Sequence, residues 1–213
     1  HVATFKADQI DQVVDHINAT GYGLTFGLHT RIDGRVEQVL SRLKVGNAYV
    51  NRNQIGAIVG SQPFGGEGLS GTGPKAGGPN YLPRFQADLL PALPAQPAPP
   101  VDVDEVQRRL RHLAQQDLPC MGVADLPGPT GESNRLSVYG RGTVLCLGPS
   151  ADAALEQARM AREAGAHVLA IAPGVPPALG LDGWLPRGAL EHLQGIAVVA
   201  HWGEGADLAA VRR

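Results

Sequence analysis

The stretch "LPRFQADLLPALPAQPAPP", Leu82 to Pro100, carries six of the chain's 17 prolines. Proline inside a helix removes a hydrogen bond and clashes with the preceding turn, and inside a sheet it removes a ladder donor. The stretch is too proline-rich for a helix and too irregular for a strand. It therefore reads as a linker, semi-rigid where the prolines cluster, with a domain boundary over residues 86–100. A chain of 213 residues is then two small domains, 1–85 and 101–213, rather than one large one.

In the first part, "HVATF" reads as a strand. Asp8 is a candidate N-cap for a helix carrying Ile10, Val13, Val14 and Ile17 at helical spacing. "TGYGLTFGLHTR" reads as a turn and a short strand. Asp33 can cap a second helix with Val36, Val39, Leu40 and Leu43 on one face and Gly46 beyond its end, and "NAYVN" is a short buried strand. Because the chain opens on His1 in what reads as mid-element, and closes in the helical pattern "GADLAAVRR", it is expected to be a truncated piece of a longer protein.

The second part restarts with Asp102 capping a helix that carries Val103, Val106, Leu110 and Leu113. "LPGPTGESNR" is a loop, and "RLSVYGRGTVLCLG" is two strands meeting at Gly140–Gly142. Ser150 can cap "ADAALEQARMAREAG", whose apolar face is mostly alanine, with Gly165 at its end. "HVLAIAPG" and "IAVVAHW" are further buried strands, with "RGALEHLQG" between them as a helix. Strand, helix, strand, helix, strand makes an α/β, Rossmann-like parallel-sheet domain.

Several function classes are disfavoured. A formal net charge of -2 leaves no electrostatic footprint for nucleic acid. No apolar run approaches the length of a membrane span, and Cys120 and Cys146 make neither a disulfide framework nor a metal site, so a reducing cytoplasm is the default. "VLCLGPS" ends a strand and opens a helix, as a dinucleotide site would, but the fingerprint is missing. Gly148 is followed by Pro149, which has no N–H, then Ser150 and Ala151, and the next strand ends without an acidic residue. Cys146 reads as buried and inert, and Cys120, in a loop after a proline, lacks a neighbouring base. His201, beside Trp202 at a strand end, is the most site-like histidine, although one histidine makes no site. Glu67 reads as a base or as a solvated loop carboxylate.

Asn51 to Pro79, "NRNQIGAIVGSQPFGGEGLSGTGPKAGGP", holds nine of the 28 glycines and hardly any charge. The glycines can serve tight packing turns. Alternatively, bare backbone around Gly56 and Ala57 can form a nest of N–H groups for a carboxylate, with the Phe64 ring as an apolar wall. The residues alone leave both readings open.

"GNAYVN" and "PFGGEGLSGTG" resemble the closing segment of the aldehyde dehydrogenase superfamily. The long glycine-rich stretch followed by "YLPRF" resembles, more narrowly, the L-glutamate-γ-semialdehyde dehydrogenase module of the bifunctional proline utilization A family of bacteria. The second half resembles the extra C-terminal domain of that family's longer members. The resemblance implies a parent that oxidises proline with FAD and the resulting semialdehyde with NAD. It implies that Gly56 and Ala57 anchor the substrate carboxylate, that Phe64 packs on its aliphatic chain, and that residues 101–213 form a non-catalytic aldehyde-dehydrogenase-like domain that covers a tunnel and supports assembly. No catalytic, cofactor-binding or metal-binding residue is then expected in this chain, and in isolation it should be inactive. The implied partners are the upstream domains of the same polypeptide, glutamate semialdehyde, and a second copy in a homo-oligomer; nucleic acid is not expected to bind this segment. The implied location is the bacterial cytoplasm, with peripheral attachment of the parent to the inner membrane. The competing class is a free-standing, non-catalytic module that docks on a partner.

Overall fold

The computed structural model describes residues 2–85, 98–203 and 205–211. Most of the expected linker, 86–97, lies outside them. The chain divides into two units: His1–Ala87 with Asp125–Leu136, and Asp88–Ala124 with Ser137–Arg213. A short piece of the second half thus groups with the first.

In the first unit, α1 (Ile10–Ala19) is followed by β1 (Tyr22–Gly23), β2 (Thr25–Leu28), α2 (Asp33–Leu40), β3 (Asn47–Val50) and β4 (Glu67–Gly68). β2 and β3 run parallel, with Thr25 opposite Asn47 and Leu28 opposite Val50. β1 and β4 pair antiparallel. Val14 of α1, Val39 of α2 and Tyr49 of β3 are the buried apolar residues of this unit. Arg42 joins the helices by ion pairs of 2.7 Å to both Asp11 and Asp15.

Three local expectations fail here. Asp33 does not cap α2, since it is the first residue of that helix and Ile32 stands at the N-cap without a side-chain bond. Val2–Phe5 is exposed and forms no strand, since no described strand lies alongside to take its N–H and C=O groups. Asp8 caps nothing: it sits inside the 3-10 turn Ala7–Gln9, and Gln9 stands at the N-cap of α1.

In the second unit, Asp102 caps α3 (Val103–Ala114) by accepting the Asp104 N–H. Next come β5 (Cys120–Leu126) and β6 (Asn134–Tyr139), whose residues 125–126 and 134–136 group with the first unit, then β7 (Thr143–Cys146) and α4 (Ala151–Glu163). β8 (His167–Ala172), β9 (Gly180–Asp182), β10 (Val198–Ala200) and α5 (Gly205–Val211) complete it. β5 and β6 pair as a two-stranded sheet. Their connection is too short for a parallel crossover, so they form a hairpin. The main sheet has the order β10-β7-β8-β9, with every neighbouring pair parallel.

Its two faces differ in kind. Val144 and Cys146 of β7 and Ala170 and Ala172 of β8 face the alanines of α4, Ala154 and Ala158. Leu145 and Leu147, with Leu169 and Ile171, face Val106 and Leu110 of α3. Alternation along a strand sends successive side chains to opposite faces, and here it sorts them by size as well.

Three expectations change in this unit. Cys120 opens β5 rather than lying in a loop. "RGALEHLQG" forms only the 3-10 turn Arg187–Glu191, between Pro186 and the positive-φ Gly195, and not an α-helix. The tail of the proline-rich stretch is structured: Pro100 bridges Trp184, with Val101 N–H donating to the Trp184 carbonyl at 2.9 Å.

Candidate functional site

β3 delivers the chain to the glycine-rich segment, and Asn51 turns it. Asn51 is the one non-glycine residue with positive φ among those described, at 55°. Asparagine tolerates that conformation when its short side chain bonds locally. Here the amide is held from farther off, by Thr30 21 residues back, Oδ1 accepting from Thr30 N–H and Nδ2 donating to Thr30 C=O, each at 2.9 Å.

The loop that follows is held from three points. Ile55 N–H donates to Asn53 Oδ1 at 3.1 Å. Ile58 N–H donates to Gln62 Oε1 at 3.1 Å, and Gln62 N–H returns to the Ile58 carbonyl. Between them the hydroxyl of Tyr49, only 5% exposed, donates to the Gly56 carbonyl at 3.0 Å. Burial pushes the Tyr49 phenol up from its ordinary value, with the Arg52 guanidinium opposing. The group therefore stays a donor throughout the neutral range.

Gly56 has φ of +70°, accessible to glycine at no steric cost. Among the described residues, the N–H groups of Gly56 and Ala57 donate to nothing. The Gly56 carbonyl and the Ala57 N–H share one planar trans peptide and point in opposite directions. With the carbonyl drawn to a buried phenol, the Ala57 N–H faces away from the core. Gly56 is exposed and Ala57 half-buried.

Phe64 is fixed separately. It exchanges backbone hydrogen bonds with Ala76, at 3.0 and 2.9 Å, and its side chain is half-buried. Asn47 secures its neighbours, donating to the Pro63 carbonyl at 2.9 Å and accepting from Gly65 N–H at 3.2 Å. Lys75 Nζ donates to the carbonyls of Gly46 and Gly65 and to Asn47 Oδ1. Burial lowers the Lys75 pKa, with the Glu67 carboxylate opposing. Gly46 lies so close to the Gly65 carbonyl that a Cβ there would overlap it. Here the glycines serve close packing, whereas Gly56 has open space around it. Glu67 is exposed on β4, opposite Gly23, and takes no part in the loop.

A further group comes from the β5–β6 hairpin tip, within the same unit. Glu132 pairs with Arg52 at 2.5 Å, and the Arg52 guanidinium lies 4.9 Å from the centre of the Tyr49 ring. Gln62 Nε2 donates to Asn134 Oδ1 at 3.1 Å and to Glu132 Oε1 at 3.5 Å. Sequence reasoning missed Tyr49, Arg52, Gln62, Lys75 and Glu132. The scarcity of charge in the stretch was the available signal for Arg52 and Lys75.

His201 Nδ1 lies 3.0 Å from the Leu147 carbonyl and Nε2 lies 3.3 Å from Asp207 Oδ2, with the ring almost wholly buried. Burial pushes the Cys146 thiol up to about 11, so it carries no thiolate at neutral pH. Cys120 is exposed, its Sγ 3.5 Å from the Gly122 carbonyl. Among the described residues no three His, Cys, Asp or Glu side chains cluster as metal ligands.

A dinucleotide would lay its pyrophosphate on the N-terminus of α4. A Cβ at Gly148 would overlap the Ala154 nitrogen, so this glycine is already used in packing the helix against β7. Pro149 has no N–H, and Ser150 Oγ accepts from Ala153 N–H. These residues do not fit a dinucleotide.

Residues 2–87 match the aldehyde dehydrogenase family. The chain is 46% identical over 159 residues to the bifunctional protein PutA of Rhizobium meliloti, an alignment covering 69% of this chain and 13% of that protein. It is 49% identical over 81 residues to 1-pyrroline-5-carboxylate dehydrogenase of Bacillus subtilis, covering 38% of this chain and 16% of that protein. A solved structure of proline utilization A from Corynebacterium freiburgense covers 96% of this chain and 23% of its own, at 25% identity and a TM-score of 0.44. The chain thus spans well under a quarter of the length of the curated relatives it matches.

Proposed function

We propose, on the match of residues 2–87 to the aldehyde dehydrogenase family, that the chain is the C-terminal part of a bifunctional enzyme of proline catabolism, with Gly56 and Ala57 as the carboxylate anchor. The parent oxidises proline in an FAD-dependent step and then oxidises glutamate semialdehyde, the open form of 1-pyrroline-5-carboxylate, to glutamate with NAD. The names of the relatives support a parent with two activities and the second of these steps: a bifunctional protein over 159 residues, and a 1-pyrroline-5-carboxylate dehydrogenase over 81 residues.

The observation that carries the anchor is the pair of undonated N–H groups at Gly56 and Ala57, in a loop whose central carbonyl is held by Tyr49. Two N–H groups facing one carboxylate make charge-assisted hydrogen bonds, which are shorter and stronger than neutral ones. Holding the carboxylate fixes where the aldehyde end lies relative to the reacting groups, and such orientation is a large part of catalysis. Phe64 packs on the aliphatic chain between the two ends. The reacting groups and the nicotinamide and flavin sites belong to upstream domains of the same polypeptide, so this chain alone is inactive. Residues 101–213 form a non-catalytic domain that covers the passage between the two sites and supports homo-oligomer assembly. Its closed α4 N-terminus agrees with that role. The parent works in the cytoplasm, with peripheral attachment to the inner membrane; among the described residues no helix is long and apolar enough to cross a membrane.

Gly56→Val in the full-length enzyme tests the anchor, because a β-branched residue is strained at φ of +70°. The expected result is a KM for glutamate semialdehyde raised about tenfold or more, as for losing one charge-assisted hydrogen bond. The KM for a straight-chain aldehyde without a carboxylate should stay within about twofold. An unchanged KM for the semialdehyde would overturn the reading.

A further inference from the structure

The tip of the β5–β6 hairpin grips the anchor loop at both of its ends. On the entry side, Glu132 pairs with Arg52, whose guanidinium lies over the ring of the tyrosine that holds the Gly56 carbonyl. On the exit side, Glu132 and Asn134 both accept from Gln62 Nε2, and Gln62 Oε1 accepts from the Ile58 N–H. The side chains of Arg52 and Glu132 are 26% and 24% exposed. That degree of burial sets the pair apart from surface ion pairs, which constrain little. Within the loop itself, the described hydrogen bonds are short-range turns around Asn53, Ile58 and Gln62. Loop ends left to such turns alone open readily.

We propose that Glu132 is a positioning residue for the carboxylate-binding loop, acting through Arg52 and Gln62 to keep the Gly56–Ala57 peptide aimed at its ligand. The proposal rests on the anchor reading above. Glu132 touches no substrate. Its carboxylate holds Arg52 over Tyr49, so the phenol keeps one direction and the Gly56 carbonyl stays turned inward. Through Gln62 it also fixes where the loop returns to the chain. A piece of the second half of the polypeptide thereby sets the affinity of a site built by the first half.

The test compares two aldehydes in the full-length enzyme: glutamate semialdehyde, and a straight-chain aldehyde of similar length without a carboxylate. For Glu132→Gln and Glu132→Ala, the KM for the carboxylated aldehyde should rise about threefold to tenfold, as for a partly buried charge contact. The kcat, the KM for NAD and the KM for the plain aldehyde should remain near those of the parent. The reversed pair Arg52→Glu with Glu132→Arg should recover at least half of the lost affinity on a logarithmic scale. Equal losses for both aldehydes, an unchanged KM for the semialdehyde, or a reversed pair no better than Glu132→Ala would each overturn the proposal. Gly56→Val in parallel separates the two levels: if it discriminates between the aldehydes and Glu132→Gln does not, positioning fails while the anchor stands. If Gly56→Val does not discriminate either, the anchor itself fails.

Discussion

Tyr49 reaches out of the parallel pair β2–β3 and donates its hydroxyl to the Gly56 carbonyl, 3.0 Å away and seven residues on. One buried phenol thus determines which way a single exposed peptide faces.

Removing that hydroxyl should separate orientation from packing. Tyr49→Phe keeps the ring in its buried place and keeps the face on which Arg52 rests, but leaves the Gly56 carbonyl without its donor. The expected stability loss is about 1 kcal/mol, the usual worth of such a bond. In the full-length enzyme the KM for glutamate semialdehyde should rise up to about fivefold with kcat little changed, as one such bond would give. Steady-state kinetics alongside a denaturation midpoint decides the matter; a fall in kcat with constant KM would contradict the assigned role.

Gly46→Ala should be far more damaging than Gly56→Ala. A Cβ at position 46 would overlap the Gly65 carbonyl, which is backbone and has no rotamer to escape into. Overpacking of this kind costs on the order of 1–3 kcal/mol, and more where backbone must shift. At position 56 the space is open, so the cost is confined to the positive φ, about 1 kcal/mol. Urea titration of both variants gives the order directly, and a Gly46→Ala protein as stable as its parent would refute the close approach.

The second unit should lose stability in acid through Asp207. Hydrogen bonding to Arg187, at 2.7 and 3.0 Å, holds the Asp207 carboxyl below its ordinary value of 3.8, against an opposing effect of burial. Because the folded state binds this proton less readily than the unfolded chain, the stabilisation is complete above pH 3.8 and is lost as pH falls through the lower folded value. Asp207→Asn should therefore be less stable than the parent at pH 7, with the gap closing below about pH 4. Thermal melts across that range check it; a gap independent of pH would show that the carboxylate charge contributes nothing.

Much of the second unit was legible because its signals are local. Asp102 and Ser150 cap the helices they were expected to cap, and the apolar runs of β7, β8 and β10 are the strands they appeared to be. β9 was not read, since Gly180–Asp182 has no pattern of its own and exists through pairing with β8. "HVATF" misled for the converse reason: it has strand composition without a described partner. At the site, the glycine at position 56 announced a special backbone conformation, and its positive φ agrees. Nothing local could announce Glu132, which meets Arg52 from 80 residues away. Long-range ion pairs leave no periodicity behind.

The sorting of side chains by size across the main sheet has a consequence for how it assembles. Sliding β8 by one residue against β7 would carry Leu169 and Ile171 onto the face where Ala154 and Ala158 of α4 leave no room. The same slide would set Ala170 and Ala172 against α3, leaving voids beside Leu110. A sheet with leucine on both faces would resist such slippage only weakly. This one has a thin side and a thick side, so a one-residue misregister is penalised twice, once by collision and once by emptiness.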